Sequence, residues 1–240
     1  MGDIGTLLKK WDVPCGEAGI RDLEAFAALL TDWNTRMDLT SVPAQEMAAR
    51  HFLDSLLPLR EAALFPRGAR LIDVGTGAGF PGLALAAARR DLQVTLLEAQ
   101  GKRCQFLNAV RDALKLENVT VIQDRAEVLG RAPGHRESYD LAVARAVAGL
   151  NVLCEYLLPF VRTGGFALCW KGPAVLEEMT DGRAAAQALG GRVETPLEMT
   201  CGDLEGRRLL VPVRKMEETS HQYPRKNGIP AKRPIQCAKS

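Results

Sequence analysis

The chain has 240 residues, 47% of them hydrophobic, 25% charged and 5% aromatic, with a formal net charge of +2. That balance excludes a fibrous or globally disordered protein and suits one large α/β domain, or one domain with a helical extension. No apolar run reaches the roughly 18 residues of a membrane helix; the longest, Leu141 to Val161, is interrupted by Arg145, Asn151 and Glu155.

Residues 1–60 carry helical patterning around Leu23–Trp33 and Gln45–Leu59 and no clear strand. They are expected to form a helical extension packed on the core. The opening Met-Gly-Asp-Ile-Gly lacks a basic region followed by an apolar core, so no signal peptide is expected. From residue 70 onward, short apolar runs alternate with helical patterns. Arg70–Gly75 reads as a strand, Pro81–Arg90 as a helix, Leu92–Leu97 as a strand and Lys102–Leu114 as a helix. Val119–Ile122 and Tyr139–Val143 read as strands, Leu150–Phe160 as a helix stopped by Thr163-Gly164-Gly165, and Phe166–Trp170 as a fifth strand. Ala174–Leu189 is helical, and Arg192–Thr195 with Arg208–Val213 forms a closing strand pair. This alternation predicts an α/β fold with a mostly parallel, doubly wound sheet over residues 61–216. Ligands of such sheets bind beyond the carboxyl ends of the strands.

Residues 217–240 read as a basic tail. Its last twenty residues hold Arg225, Lys226, Lys232, Arg233 and Lys239 and no acid, which leaves the rest of the chain at −3. The tail is either a solvated terminus or an arm for a phosphate backbone. Six scattered cysteines (Cys15, Cys104, Cys154, Cys169, Cys201 and Cys237) include no Cys-x-x-Cys pair. Neither zinc nor a disulfide framework is expected, and a reducing cytoplasm fits.

The most informative stretch is Leu71-Ile-Asp-Val-Gly-Thr-Gly-Ala-Gly-Phe-Pro-Gly82: an apolar strand, a glycine turn, then a helix. Such a turn lets a ligand approach bare backbone and aims N–H groups at it. Gly75, Gly77 and Gly79 give G-x-G-x-G, not the G-x-G-x-x-G of a dinucleotide binder, and no Gly-Lys-Ser/Thr marks a P-loop. Asp73 ends the first strand. Glu98 ends the second, where a carboxylate can accept both ribose hydroxyls. An acid-bearing turn disfavours pyrophosphate and favours a ribose with a positive amine and sulfonium, which describes S-adenosylmethionine. Ala126 and Glu127, after the third strand, are candidates to meet its base; the bland alternative is a helix opening with acids in its first turn.

These residues resemble the RsmG family, the small-subunit rRNA guanine-N7 methyltransferases also called glucose-inhibited division protein B. Asp73 to Gly82 is similar to its core signature, Thr95-Leu-Leu-Glu-Ala-Gln-Gly-Lys-Arg103 with Phe106-Leu107 to its second block, and Ala144-Arg145-Ala146 to its Ser-Arg-Ala, with Ala144 in place of serine. Trp170-Lys171-Gly172, Trp33-Asn34, Leu39-Thr40, His51-Phe-Leu-Asp-Ser-Leu56 and Tyr223 to Pro234 extend the likeness over nearly the whole chain. The resemblance implies a class I S-adenosylmethionine-dependent methyltransferase that methylates N7 of one guanine in 16S rRNA and releases S-adenosylhomocysteine. Carried over by motif, it implies cofactor contacts at Gly75, Phe80, Ala126, Glu127 and Arg145; the expected partner is 16S rRNA or the 30S subunit, and the expected state a cytoplasmic monomer. The residue reading adds Asp73, Gly77, Gly79 and Glu98.

Guanine N7 already holds an in-plane lone pair, so positioning, not a general base, is expected to supply most of the rate. No cysteine follows the fourth strand as a pyrimidine-C5 nucleophile, and the Asn/Asp-Pro-Pro-Tyr/Phe of amino-directed enzymes is absent. Arg145 is the candidate to orient the guanine through O6 or phosphate; its plainer reading is an ion pair closing the sheet end. Lys171 is either a phosphate contact or a solvated loop lysine. His51 and Asp54 share a helical face, over the cofactor mouth or as a cap of the extension. Lys102 and Arg103 could meet RNA or be ordinary exposed helix residues, and Trp11, Trp33 and Trp170 are read as packing anchors. Rival readings are a same-fold enzyme acting on a small molecule or protein, and a cofactor- or RNA-binding module without turnover.

Overall fold

The computed structural model describes residues 3–238, so Lys239 of the basic tail lies outside them. β1 (Arg70–Val74), β2 (Gln93–Glu98), β3 (Val119–Gln123), β4 (Tyr139–Arg145) and β5 (Val161–Lys171) pair in parallel in the order β3-β2-β1-β4-β5. β6 (Gly191–Val193) and β7 (Leu197–Glu198) both pair antiparallel with β8 (Leu209–Lys215), which runs antiparallel to β5. The chain order reverses between β1 and β4, and the crevice at such a switch point is where doubly wound sheets bind ligands.

The strands divide their side chains between two cores with the period of two that a pleated strand imposes. Leu71, Leu96, Val143 and Leu168 enter one; Ile72, Leu97, Ala142 and Cys169 enter the other. The first core is covered by α1 (Ile4–Lys10), α2 (Glu17–Asn34), the irregular helical stretch 44–60 that contains α3 (Asp54–Leu56), α4 (Gly82–Ala88) and α5 (Gly101–Ala113). After the short α6 (Ala126–Leu129) come α7 (Leu150–Leu157) and α8 (Val175–Ala188), which cover the second core, and α9 (Ile229–Lys232) lies near the end of the chain.

Three sequence expectations change. The Gln45–Leu59 helix is not one regular helix: a 3₁₀ turn, a π-helical turn over Ala48–Leu53, α3 and a second 3₁₀ turn succeed one another. β5 begins at Val161, so the Thr163-Gly164-Gly165 stop lies inside it. The pairing of β4 with β5 is irregular there, and a Cβ on Gly165 would sit 2.4 Å from the Asp140 carbonyl. Finally, the basic tail is neither floating nor an extended arm: Pro224 and Pro230 are buried, and Arg225 pairs with buried Glu155 at 2.6 Å. No helix among the described residues is long and apolar enough to cross a membrane.

Candidate active site

Two concavities open at the carboxyl ends of the strands. The first, about 460 Å³, lies over β1, β2 and β3 and is lined by Gly75, Glu98, Arg103, Ala126 and Glu127 among others. Gly75, Gly77 and Gly79 take φ of 72°, 60° and 95°, a left-handed path that side chains with a Cβ resist. A Cβ on Gly77 would meet the Arg103 guanidinium and the Gly75 carbonyl only at 3.9 and 4.0 Å, so the backbone of that turn is left an uncrowded cradle. Glu98 accepts the Gly77 and Gln100 N–H groups at 3.0 and 2.8 Å, which holds its carboxylate at the mouth with lone pairs to spare. Such a cradle and acid suit a neutral-backbone approach and a ribose diol, so the residues present fit S-adenosylmethionine.

Asp73 does not reach this surface. It is fully buried, and one oxygen accepts the Gly82 N–H at 2.8 Å, tying the start of α4 to β1. Gly82 allows that approach because a Cβ there would stand 2.6 Å from the Asp73 Cβ. Burial pushes the Asp73 carboxyl up to about 6. Its other oxygen and the Thr76 hydroxyl have no partner. Glu127 lines the cleft, yet its carboxylate accepts the Gly228 N–H at 2.8 Å.

Phe80 also turns away from the cleft. Its ring is buried against Phe26 at 5.1 Å and stacks on His51 at 4.6 Å, with the Arg145 guanidinium over it at 5.2 Å. The Phe-Pro-Gly block therefore fastens the glycine turn to the helical extension.

The second concavity, about 390 Å³, lies beyond that ring and shares Ala146 and Ala148 with the first. Arg50, Arg145, Lys171 and Arg208 supply cations to its wall, which Asp54 lines with a carboxylate while Glu46 and Glu178 pair with Arg50 and Lys171 from outside it. Arg145 pairs with Asp54 at 2.8 Å and reaches the Arg50 carbonyl at 3.1 Å, in the π-helical turn. Asp54 also faces Arg208 at 3.3 Å. The Arg145 Nη2 must donate, so His51 Nδ1, 3.1 Å away, accepts, and Nε2–H is left to donate to Thr40 Oγ1 at 2.7 Å. Burial first, then the Arg145 and Arg50 charges, push His51 down to about 4, so it is neutral at physiological pH. Lys171 donates to the Ala148 carbonyl at 3.0 Å and pairs with Glu178 at 2.8 Å. It anchors the shared wall, and its ammonium is neither solvated nor free. Ala146 in that wall has φ of 57°, a backbone state costing an alanine about 1–2 kcal/mol.

Comparison with known proteins gives the family of the chain. Residues 19–209 match the GidB family model, described as rRNA small subunit methyltransferase G. A ribosomal RNA small subunit methyltransferase G of Symbiobacterium thermophilum is 48% identical, covering 86% of each chain. One from Roseiflexus castenholzii is 43% identical, covering 98% of this chain and all of that one.

The chain belongs to the rRNA small subunit methyltransferase G family.

The family is S-adenosylmethionine-dependent, and the fold is that of class I methyltransferases. The crystal structure of a mutant MtNAS in complex with S-adenosylmethionine superposes with a TM-score of 0.56 at 16% identity, covering 83% of this chain and 77% of that one. The Methanococcus jannaschii fibrillarin pre-rRNA processing protein gives 0.51 at 13% identity, over 64% and 70%.

In this methyltransferase G chain, Gly75, Glu98, Ala126 and Glu127 gather at the first concavity, whereas Arg145 and Lys171 line the second. Gly77 contributes its N–H to Glu98. Gly79 is a packing glycine: a Cβ would stand 2.9 Å from Leu83 and 3.1 Å from Phe26. His51 and Asp54 do share a site, with Arg145 as their common partner. Trp170 is a packing anchor whose indole N–H donates to the Asp54 carbonyl at 3.0 Å. Sequence reasoning passed over Arg208 as a strand start and took Thr40 only as part of the family likeness. Asn34 accepts the Leu39 and Thr40 N–H groups, at 2.9 and 3.0 Å, and so presents Thr40 to His51.

Proposed function

We propose that this enzyme transfers a methyl group from S-adenosylmethionine to N7 of one guanine in 16S rRNA, releasing S-adenosylhomocysteine. The observation that carries this reading is the pairing of an acid-mouthed cleft with a cation-walled chamber across the Ala146–Ala148 wall. Bound there, the cofactor supplies an electrophilic methyl on a sulfonium. The chain's own residues do the rest. Gly75, Gly77 and Glu98 hold and orient; Ala126 and Glu127 bound the base end; Asp73, Gly79 and Phe80 act as positioning residues for the turn. Arg145, held over Phe80 and braced by Asp54, directs its remaining donor capacity toward the guanine O6 or a neighbouring phosphate. Lys171 keeps the shared wall in place.

The chamber offers no working base. His51 has both ring nitrogens engaged and titrates near 4, and Asp54 is held between two arginines. An acceptor that needs no deprotonation suits such a site, and N7 of guanine is one. Arg145 and Arg208, which share the one carboxylate of Asp54, leave the chamber a cationic excess that suits an RNA acceptor. Residues 1–60 would shape the chamber, 61–216 carry the transfer, and 217–240 complete the cofactor side. The enzyme would work as a monomer in the cytoplasm, with the 30S subunit as its partner.

The test is incubation of the purified protein with labelled S-adenosylmethionine and 30S subunits from cells lacking it, followed by cleavage mapping of N7-methylguanine. One labelled guanine N7 in 16S rRNA is expected. Label on another atom or base, or none on any small-subunit substrate, overturns the reading.

A further inference from the structure

Outside the two concavities, the buried charged groups converge on one segment. Glu155, 1% exposed within α7, had looked like an interruption of an apolar run; its carboxylate accepts the Arg225 backbone N–H at 2.7 Å and pairs with that guanidinium at 2.6 Å. Lys215, also 1% exposed, pairs with Glu137 at 2.8 Å and hydrogen-bonds the Thr219 hydroxyl, while Glu137 accepts the Thr219 N–H at 2.6 Å. Arg131 and Arg136 donate to the carbonyls of Gln222, Tyr223 and Pro224 at 2.8–2.9 Å. Asn151 holds the Ile235 carbonyl at 2.8 Å. Buried ion pairs are costly unless fully satisfied, and fixing geometry is their best-attested use. Here the geometry they fix is a strap, residues 219–235, laid along α6 and α7, so that only its later residues reach the carboxyl end of the sheet.

The strap brings Asn227, Gly228 and Ala231 onto the wall of the first concavity, which Ala126 and Glu127 also line. Gly228, at φ 75°, donates its N–H to Glu127. We infer that the strap is a cofactor-binding element: Asn227–Ala231 covers the base of S-adenosylmethionine, with the Asn227 amide at its edge, and Glu127 is a positioning residue that sets the strap. This rests on the cofactor reading of the cleft. An asparagine amide presents one donor and one acceptor side by side, the complement of an adenine N6/N7 edge. Asn227 is exposed at the rim, so its amide is accessible to a ligand there. The exposed Lys226, Lys232 and Arg233 remain outside this role.

The experiment titrates S-adenosylhomocysteine into the full chain and into N227A and G228P by calorimetry, with S-inosylhomocysteine as the comparison ligand. Neither substitution removes a side chain of the Glu155–Arg225 pair. Amide hydrogen exchange over residues 224–231 is followed with and without the ligand. The ligand is expected to slow strap exchange. N227A should bind about five- to tenfold more weakly, the worth of one hydrogen bond, and lose its preference for adenine over hypoxanthine. G228P, which removes the N–H that Glu127 holds and cannot keep the φ of 75° found there, displaces the strap from the cleft and should bind more weakly still. Unchanged affinity in both variants, together with strap exchange indifferent to saturating ligand, overturns the inference and leaves the cofactor reading standing. No binding by the unaltered chain overturns both.

Discussion

The cofactor cleft and the acceptor chamber share the Ala146–Ala148 wall, yet they are assembled differently. The inner side of the cleft is made where strands end and turns begin, between Val74 and Glu127, from glycines with positive φ and acids at strand tips. The chamber gathers side chains from four distant places: Arg50 to Asp54, Arg145, Trp170–Lys171 and Arg208. Backbone groups predominate in the first and paired charges in the second. A site made of local backbone survives side-chain changes elsewhere. A site made of long-range ion pairs depends on every partner, because each pair removed strands a charge in a half-buried place.

That contrast predicts which function each substitution removes. Arg145→Ala should reduce methylation of small subunits by more than about a hundredfold, since misplacing an orienting group costs that much. It should leave S-adenosylhomocysteine affinity within about threefold, because the side chain lines the chamber and not the cleft. A parallel loss of cofactor affinity in calorimetry would break the comparison. Glu98→Ala should do the reverse, weakening cofactor binding about thirty- to a hundredfold through lost charge-assisted hydrogen bonds. Turnover at saturating cofactor should be nearly retained, as a split of kcat from KM would record.

Gly79→Ala tests the joint between the two regions. A Cβ there meets Leu83 at 2.9 Å in a backbone state with φ of 95°, so unfolding in urea should show a loss of about 2 kcal/mol. Full stability would mean the turn is not locked to the extension.

The smallest effect concerns pH and touches the chamber alone. Folded His51 titrates near 4 and its ordinary value is 6.5, so the unfolded chain binds the extra proton between those values. The stability held by neutral His51 is therefore complete above that ordinary value and is lost as pH falls toward the folded one. Between about pH 7 and about pH 5 the unaltered protein should lose about 2 kcal/mol more than His51→Gln in paired urea titrations. Equal losses would place His51 in a wetter site. Asp73, raised to about 6, acts in the opposite sense: the folded state holds its proton more tightly, so its contribution falls as pH rises from 3.8 toward 6. The difference between the two proteins cancels that term.

The sheet was largely legible. Alternating apolar runs and helical periods record burial on both faces, a local property, and five parallel strands appear where that pattern put them. Less legible were the elements whose shape answers to a distant partner. The stretch 44–60 has the apolar spacing of a helix but adopts a π-helical turn whose Arg50 carbonyl meets Arg145. The basic tail has the composition of a free arm, but Glu155 and Glu127 hold it down from α7 and α6.

By itself the sequence determined the glycine turn, the acid that ends β2 and the parallel order of the core. Glycine's conformational freedom and strand-end acids are properties of residues a few positions apart. It also carried a family likeness that the comparisons bear out. Only the tertiary structure decided which way each candidate faces. Asp73 and Phe80 lie within the signature yet point into the core, and Arg145 meets Asp54 across 91 positions of chain. Ionic and stacking partners so far apart are set by packing of the helical extension on the sheet, which no local pattern encodes.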